Sequence, residues 1–557
     1  MPAPADLVVT RGKVITADPK NRIAEAVAVA DGRISAVGGA AEIEALAGPG
    51  ARRIDAGGGA VTPGLIDGHA HLDREGLKPV FPSLAGCRSI DDVLARIRAL
   101  AADAEPGAWI VTMPIGEPPY YWDVPKNLAE GRFPTRSELD GAAPDNPVYI
   151  RPIWGFWRHI LPLTSIANSA ALDAAGIGRD TPDPSASIEI ERDPGTGEPN
   201  GIIHEHTYMP VMELSHFNRA PRFTHSDRVA GIEAAMRIYN RTGTTSVFEE
   251  HGAAQELIQA YQAVHAAGRA TVRANLVFSP SWGPERDIDY THALRSWSGW
   301  LGGRGLGDDW LAVGGLYTEF GFDADALLRA RASPYTGWSG FNYDCGVPRG
   351  KMVDFLTEAA RNGIRICALW REFLPLFEEV DRRVPIGEKR WVLGHINTLS
   401  PDEIKRVADL GLALTTHTNR YIHKQSHVTR DEIGRERENE IVPIRSLLEA
   451  GVHVALATDN VPTSLFFPVW QSVARENLHT GERIAPDQAL TREDALRCAT
   501  IEGAWLTFEE DRKGSLEVGK LADMALLSDD PLTCQEDAIK DIVAETVIVG
   551  GRVVLEG

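Results

Sequence analysis

Two histidines one residue apart, His69 and His71, end the apolar run Val61-Thr62-Pro63-Gly64-Leu65-Ile66-Asp67-Gly68-His69-Ala70-His71. In a β-strand residues i and i+2 share a face, so this pair can offer two imidazoles to one metal ion. Taken alone, a His-x-His is more often two unrelated core or surface histidines. Here Pro63-Gly64 punctuates the start of the run and Asp67 and Asp73 bracket it, which strengthens the metal reading.

Such a pair needs strands in a rigid frame. From about residue 61 to 512 short apolar runs alternate with helical patterns, the signature of an α/β fold with parallel strands. Eight candidate strands can be marked: Gly64 to His71, Thr244 to His251, Thr271 to Phe278, Val313 to Phe320, Arg365 to Trp370, Trp391 to His395, Leu412 to His417 and Val452 to Asp459. Eight strand–helix units are the content of a TIM barrel. Residues 72–243 form a large insertion between the first and second strands. It carries the aromatic pieces Pro118-Pro119-Tyr120-Tyr121-Trp122 and Ile153-Trp154-Gly155-Phe156-Trp157, whose Pro/Gly-rich setting suggests a lid or pocket wall. Residues 1–60 and 513–557 both read as short strands with tight turns, including Asp31-Gly32 between two strand-like runs. Neither end can bury a core alone, so one small sheet domain assembled from both termini is expected.

The chain of 557 residues is long enough for a domain of about 400 residues plus a smaller one. A net charge of −21 argues against nucleic acid or an anionic membrane as partner and favours a small-molecule substrate. Cys87, Cys345, Cys367, Cys498 and Cys534 are scattered, without a C-x-x-C pair, which fits a reducing cytoplasm rather than a disulfide framework or a thiolate zinc site. The N-terminus has no basic and apolar signal regions, and no run of 18 apolar residues occurs, so neither export nor a membrane span is expected.

In a TIM barrel the chemistry sits at the C-terminal ends of the strands. The candidate strands end at His69 and His71, at Glu249-Glu250-His251, near Glu319, at His395, at His417 and at Asp459, a set of imidazoles and carboxylates suited to a divalent cation. With Thr62 to His71, Asn168-Ser169-Ala170-Ala171-Leu172-Asp173-Ala174-Ala175-Gly176-Ile177, Gly243-Thr244-Thr245-Ser246-Val247, Leu393-Gly394-His395, Thr458-Asp459-Asn460-Val461-Pro462 and Gly514 to Asp523, the chain resembles the amidohydrolase superfamily, within it the YtcJ-like branch related to N-substituted formamide deformylase.

The resemblance implies a metal-dependent hydrolase on a distorted TIM (β/α)8 barrel (61–512) with a small composite β-sandwich built from both termini. It carries His69 and His71 over as metal ligands. Asp459 carries over as a ligand and as the base that takes a proton from the activated water, and His395 as a second-metal ligand or a group polarising the substrate carbonyl. Two departures stand out. The fourth-strand segment Val313 to Gly321 has no lysine to bridge two metals, and Leu369 or Trp370 stands where the fifth strand usually ends in histidine. A single ion on His69, His71 and Asp459 is therefore expected, zinc ahead of manganese, iron or cobalt. One of Glu249, Glu250 and Glu319 would complete it; strand alternation turns only one of the adjacent pair inward without fixing which, and Glu250 is preferred.

His159, Trp122, Trp157 and Glu319 are weaker candidates for substrate contact. His251 is equally a site residue or a loop residue, His417, His423 and His427 read as a mostly exposed loop near the rim, and His204 and His206 as surface or packing. The expected reaction is hydrolysis of a C–N bond in an amide, formamide, urea, carbamate or cyclic imide. Hydrolytic deamination, a metal-dependent hydratase or decarboxylase, and an inert scaffold are the competing readings. Relatives imply a homodimer or homotetramer.

Overall fold

The computed structural model describes residues 4–118, 121, 123–153, 161–283, 288–321 and 323–557. Eight parallel strands, β1 (Leu65–Asp67), β2 (Thr244–Ala253), β3 (Arg273–Phe278), β4 (Leu311–Tyr317), β5 (Ile366–Leu369), β6 (Val392–Gly394), β7 (Ala413–Thr416) and β8 (His453–Leu456), are hydrogen-bonded in that order. Six lie within the runs marked from the sequence, whereas β2 continues two residues past His251 and β4 starts two residues before Val313. All of β2 and β3 is buried, because a parallel strand covered by helices on one side and barrel interior on the other meets no water. The covering helices follow the complementary pattern. In Pro401–Asp409, Ser400 accepts from the Glu403 amide at 3.3 Å while Glu403 reaches back to the Ser400 amide at 2.8 Å, and Ile404 and Val407 are turned to the core.

Phe248, Val277, Cys367, Leu369, Val392, Ala413 and Ala455, one or two from each of six strands, pack with Leu506 inside the barrel. The interior is thus a filled core with the polar residues above it. Among the described residues no ladder joins β8 to β1. The barrel closes through Gly68 N to Leu456 O and Asp459 N to His69 O, both 2.9 Å, and through Asp67. The Asp67 carboxylate accepts from His69 N at 3.1 Å, Thr458 N at 3.0 Å and the Thr458 hydroxyl at 2.5 Å. Gly68 permits this approach, since a Cβ there would lie 2.9 Å from that of Ala455.

The termini form two further sheets, one of Ala5–Thr10, Ala26–Ala30, Arg33–Gly38 and Ala47–Asp55, the other of Lys13–Ile15, Ile23–Ala24, Ala60–Pro63, Met524–Leu527, Ala544–Val549 and Arg552–Glu556. Leu7, Val27, Val29, Val61, Met524 and Ile548 share one core between them. Arg273 of β3 is locked to this unit by Asp523, with nitrogen–oxygen distances of 2.7 and 2.9 Å. The insertion builds a five-stranded sheet in the order Ile188–Arg192, Pro199–Glu205, Leu163–Ala167, Val148–Ile150, Ile110–Thr112. At the end of its strand Pro199–Glu205 the buried Glu205 carboxylate accepts from Val211 N at 2.5 Å and Met212 N at 3.1 Å. No helix among the described residues is long and apolar enough to cross a membrane.

Two outcomes are expected. Asp67→Ala strands two buried amides and a hydroxyl, and thermal or urea unfolding should register a loss of about 3 kcal/mol or more; a loss below about 1 kcal/mol would show that the seam does not depend on this carboxylate. Burial pushes Glu205 up to about 7 from an ordinary value of 4.5, so between those values the folded chain holds a proton that the unfolded chain has lost. Its contribution to stability is complete below that window and disappears as pH rises through it. The Tm of Glu205→Gln relative to wild type should therefore shift in the variant's favour from pH 5 to pH 8, and a difference independent of pH would contradict the assignment.

Candidate metal centre

The centre is built on His69 and His71, both buried, with Nε2 atoms 2.9 Å apart. His69 follows β1 by two residues, and His71 has left the strand to cap the short helix Leu72–Gly76. His69 Nδ1 lies 2.6 Å from Glu250 Oε2, and His71 Nδ1 lies 3.1 Å from Glu249 Oε2. A carboxylate there accepts the Nδ1 proton and leaves the Nε2 lone pair of each ring facing its neighbour, the tautomer that a metal ion requires. Burial, then the charge of His71, depresses His69 to about 3. At His71 burial and Arg74 act downward, but the hydrogen bonds of Asp459 and Glu249 win and raise it.

Only one glutamate of the adjacent pair was expected to face the site, and both reach it. Glu250 points into the barrel, where Thr415 Oγ1 also donates to Oε2 at 2.6 Å. Its other oxygen occupies space left by Gly394, where a Cβ would fall 2.1 Å from it. Glu249, on the other face of β2, meets His71 because that residue stands beyond the strand, and it also accepts from Leu72 N at 3.0 Å and the Tyr261 hydroxyl at 2.6 Å. Glu250, anticipated as an oxygen ligand, thus commits Oε2 to His69 and Thr415. Burial pushes its carboxyl up to about 7.

Asp459 lies just beyond β8 with φ of 48°. Its Oδ1 is 3.4 Å from His71 Nε2, 3.9 Å from His69 Nε2 and 3.7 Å from Arg74 Nη1. Burial alone would raise this carboxyl, but the His71 hydrogen bond and the neighbouring imidazoles hold it well below the usual range. Asn460, also left-handed at 64°, clamps His71 by accepting from its amide at 2.9 Å and donating to its carbonyl at 2.6 Å.

His395 closes β6. Alternation through Val392 and Gly394 would turn it outward, but φ of 58° brings its ring 5.1 Å from that of His69, with Nδ1 3.2 Å from the Tyr421 hydroxyl. His417, read from the sequence as part of an exposed loop, is buried, 4.2 Å from the His395 ring and 4.8 Å from the His69 ring. The missed signal was alternation itself: Ala413 and Thr415 face inward, and His417 continues that face. His251 is buried too, stacked 4.2 Å from Phe341 and 6.1 Å from both His69 and His71. Ring nitrogens of His69, His395 and His417 lie within 4.8 Å of one another, as do those of His69, His71 and His251. His423 turns to Gln471, His427 packs near His479, His204 pairs with Thr164 and Glu191, and His206 is exposed.

Beside the cluster is a cavity of about 230 Å³ lined by Thr207 and Met209 of the insertion and by His251, Glu319, Leu369 and Trp370 of the barrel mouth. Trp370 also packs 5.0 Å from the His395 ring. Glu319 is thus on a cavity wall, where it accepts from the Tyr317 hydroxyl at 2.9 Å. Trp122, Trp157 and His159 lie outside the described residues.

Comparison with known proteins agrees with this architecture. A family model described as "Amidohydrolase family" matches residues 52–555. N-substituted formamide deformylase of Arthrobacter pascens is 28% identical over 98% of this chain and 97% of its own length. The protein YtcJ of Bacillus subtilis is 22% identical over 96% of each chain. Among solved structures, an uncharacterized metal-dependent hydrolase from Pyrococcus horikoshii superposes with a TM-score of 0.68 at 20% identity, covering 95% of this chain and 99% of that one, and so shares the fold. The chain therefore belongs to the amidohydrolase family, in its YtcJ-like branch.

Proposed function

We propose that the enzyme cleaves the C–N bond of a small amide, formamide, urea, carbamate or cyclic imide at one divalent ion held by His69, His71 and Asp459, with His395 beside it. The reaction class is that of the family: metal-dependent hydrolysis of C–N bonds other than peptide bonds. The observation that carries the ligand assignment is the pair of Nε2 atoms 2.9 Å apart, facing Asp459 and backed by Glu249 and Glu250. Imidazole and carboxylate donors fit a borderline divalent ion, zinc first among manganese, iron and cobalt. When bound, such an ion makes water nucleophilic near neutral pH and polarises a carbonyl oxygen.

The chain's own groups do the rest. Asp459, kept ionised by its neighbours, accepts the proton of the attacking water and returns it to the leaving nitrogen. His395, kept neutral by burial and oriented by Tyr421, stabilises negative charge growing on the carbonyl oxygen. Glu250 acts through His69 as a positioning residue. The relative that cleaves N-substituted formamides, by its name, supports a small acyl group in the cavity, whose walls at Met209, Leu369 and Trp370 are apolar. The five cysteines are free, which supports a reducing, cytoplasmic setting; the homodimer or homotetramer rests on family resemblance.

Asp459→Asn should lower kcat/KM by about 10²-fold or more while retaining part of the bound metal, read by steady-state kinetics and elemental analysis; full activity would refute the role of Asp459. Glu250→Gln should weaken metal affinity by about 10- to 100-fold in a chelator competition, with activity returning in excess metal. Wild-type affinity in that variant would remove Glu250 from the positioning role.

A further inference from the structure

We infer that His417, just beyond β7, is a further ligand of the metal ion, an inference that rests on the metal reading above. The imidazoles around the proposed ion differ in how their nitrogens are satisfied. His69 has Glu250 on Nδ1, His71 has Glu249 and His395 has the Tyr421 hydroxyl. His417 is 1% exposed, and neither its Nδ1 nor its Nε2 has a hydrogen-bond partner. Leaving a buried polar atom unpaired is costly, and a neutral imidazole buried in this way has two such atoms.

What surrounds His417 points to a cation as the missing partner. The rings of His395 and His69 are 4.2 and 4.8 Å away, and the three residues bring ligand nitrogens within 4.8 Å of one another. Two zinc–nitrogen bonds of about 2.1 Å span at most about 4.2 Å, and about 3.4 Å at the tetrahedral angle, so the rings need draw together only slightly to share one ion. The backbone supports the same placement, because Ala413 in the barrel interior, Thr415 on Glu250 and His417 form one inward face. His251 differs: it stacks flat on Phe341 and lines the cavity, which places it toward the substrate.

The test is cobalt(II) loading of the metal-stripped full-length chain, read by elemental ratio, chelator competition and absorption. The wild type should bind cobalt, His417→Ala should bind it about tenfold or more weakly, and His417→Cys should add a near-ultraviolet thiolate-to-cobalt band absent from the other two. The band requires residue 417 to touch the ion, which a packing role cannot supply. If the alanine variant does not fold, His417→Gln, closer in size, carries the affinity measurement. A cysteine variant that binds cobalt with wild-type affinity and shows no new band overturns the inference and leaves the metal reading intact. A wild type that takes up neither cobalt nor zinc overturns the metal reading, and this inference with it.

Discussion

The barrel mouth depends on two buried hydrogen bonds, Glu250 to His69 and Glu249 to His71. Without them each imidazole could rotate or exchange tautomer, and the two Nε2 atoms would lose their common direction. Burying two carboxylates is expensive unless each is satisfied, and this requirement recruits the neighbouring elements. Thr415 of β7 and the bare backbone of Gly394 in β6 accommodate Glu250, while Tyr261 and the amide of Leu72 satisfy Glu249. Four strands, a helix start at Leu72 and the helix Gln255–Ala266 that carries Tyr261 are thereby tied to the orientation of two rings.

A second constraint is the opening between β1 and β8. A continuous ladder there would keep the two strands paired to their ends, yet His69 and Asp459 must both turn inward above it. The chain resolves this with a short polar seam at Asp67 and Thr458, after which the backbone enters left-handed φ at Asp459 and Asn460. For a residue other than glycine such a conformation costs on the order of 1–3 kcal/mol and persists only where the surroundings overdetermine it. Asp459 N on His69 O, with Asn460 clamped to His71 and Tyr239, supplies that determination.

How much was legible in the sequence follows from these same features. Strands covered on both faces are continuous apolar runs, so all eight could be marked, and their polar last residues identified His69, His71, His395 and Asp459 as neighbours in space. Period-two alternation then failed at two points. It would have turned His395 outward, which its left-handed φ prevents, and it allowed only one of Glu249 and Glu250 near the ligands, whereas His71 reaches Glu249 by leaving its strand. At His417 alternation would have succeeded, but the polar loop following it suggested exposure. Which side-chain nitrogen a carboxylate engages has no sequence signature at all.

The cavity divides chemistry from selection. Its floor is barrel, through His251, Leu369 and Trp370, whereas Thr207 and Met209 belong to the insertion. Those two residues follow the strand Pro199–Glu205, and Glu205 grips the amides of Val211 and Met212 on their far side, so their loop is fixed at both ends by the insertion sheet. At about 230 Å³ the space lies below the roughly 300–1,000 Å³ usual for ligand pockets, so a shift of this loop by the width of one methylene changes what fits. The loop carries none of the proposed ligands. Substrate size can therefore change through the insertion while the hydrogen bonds that orient His69 and His71 stay as they are, the separation of scaffold chemistry from loop-borne specificity that this barrel architecture permits.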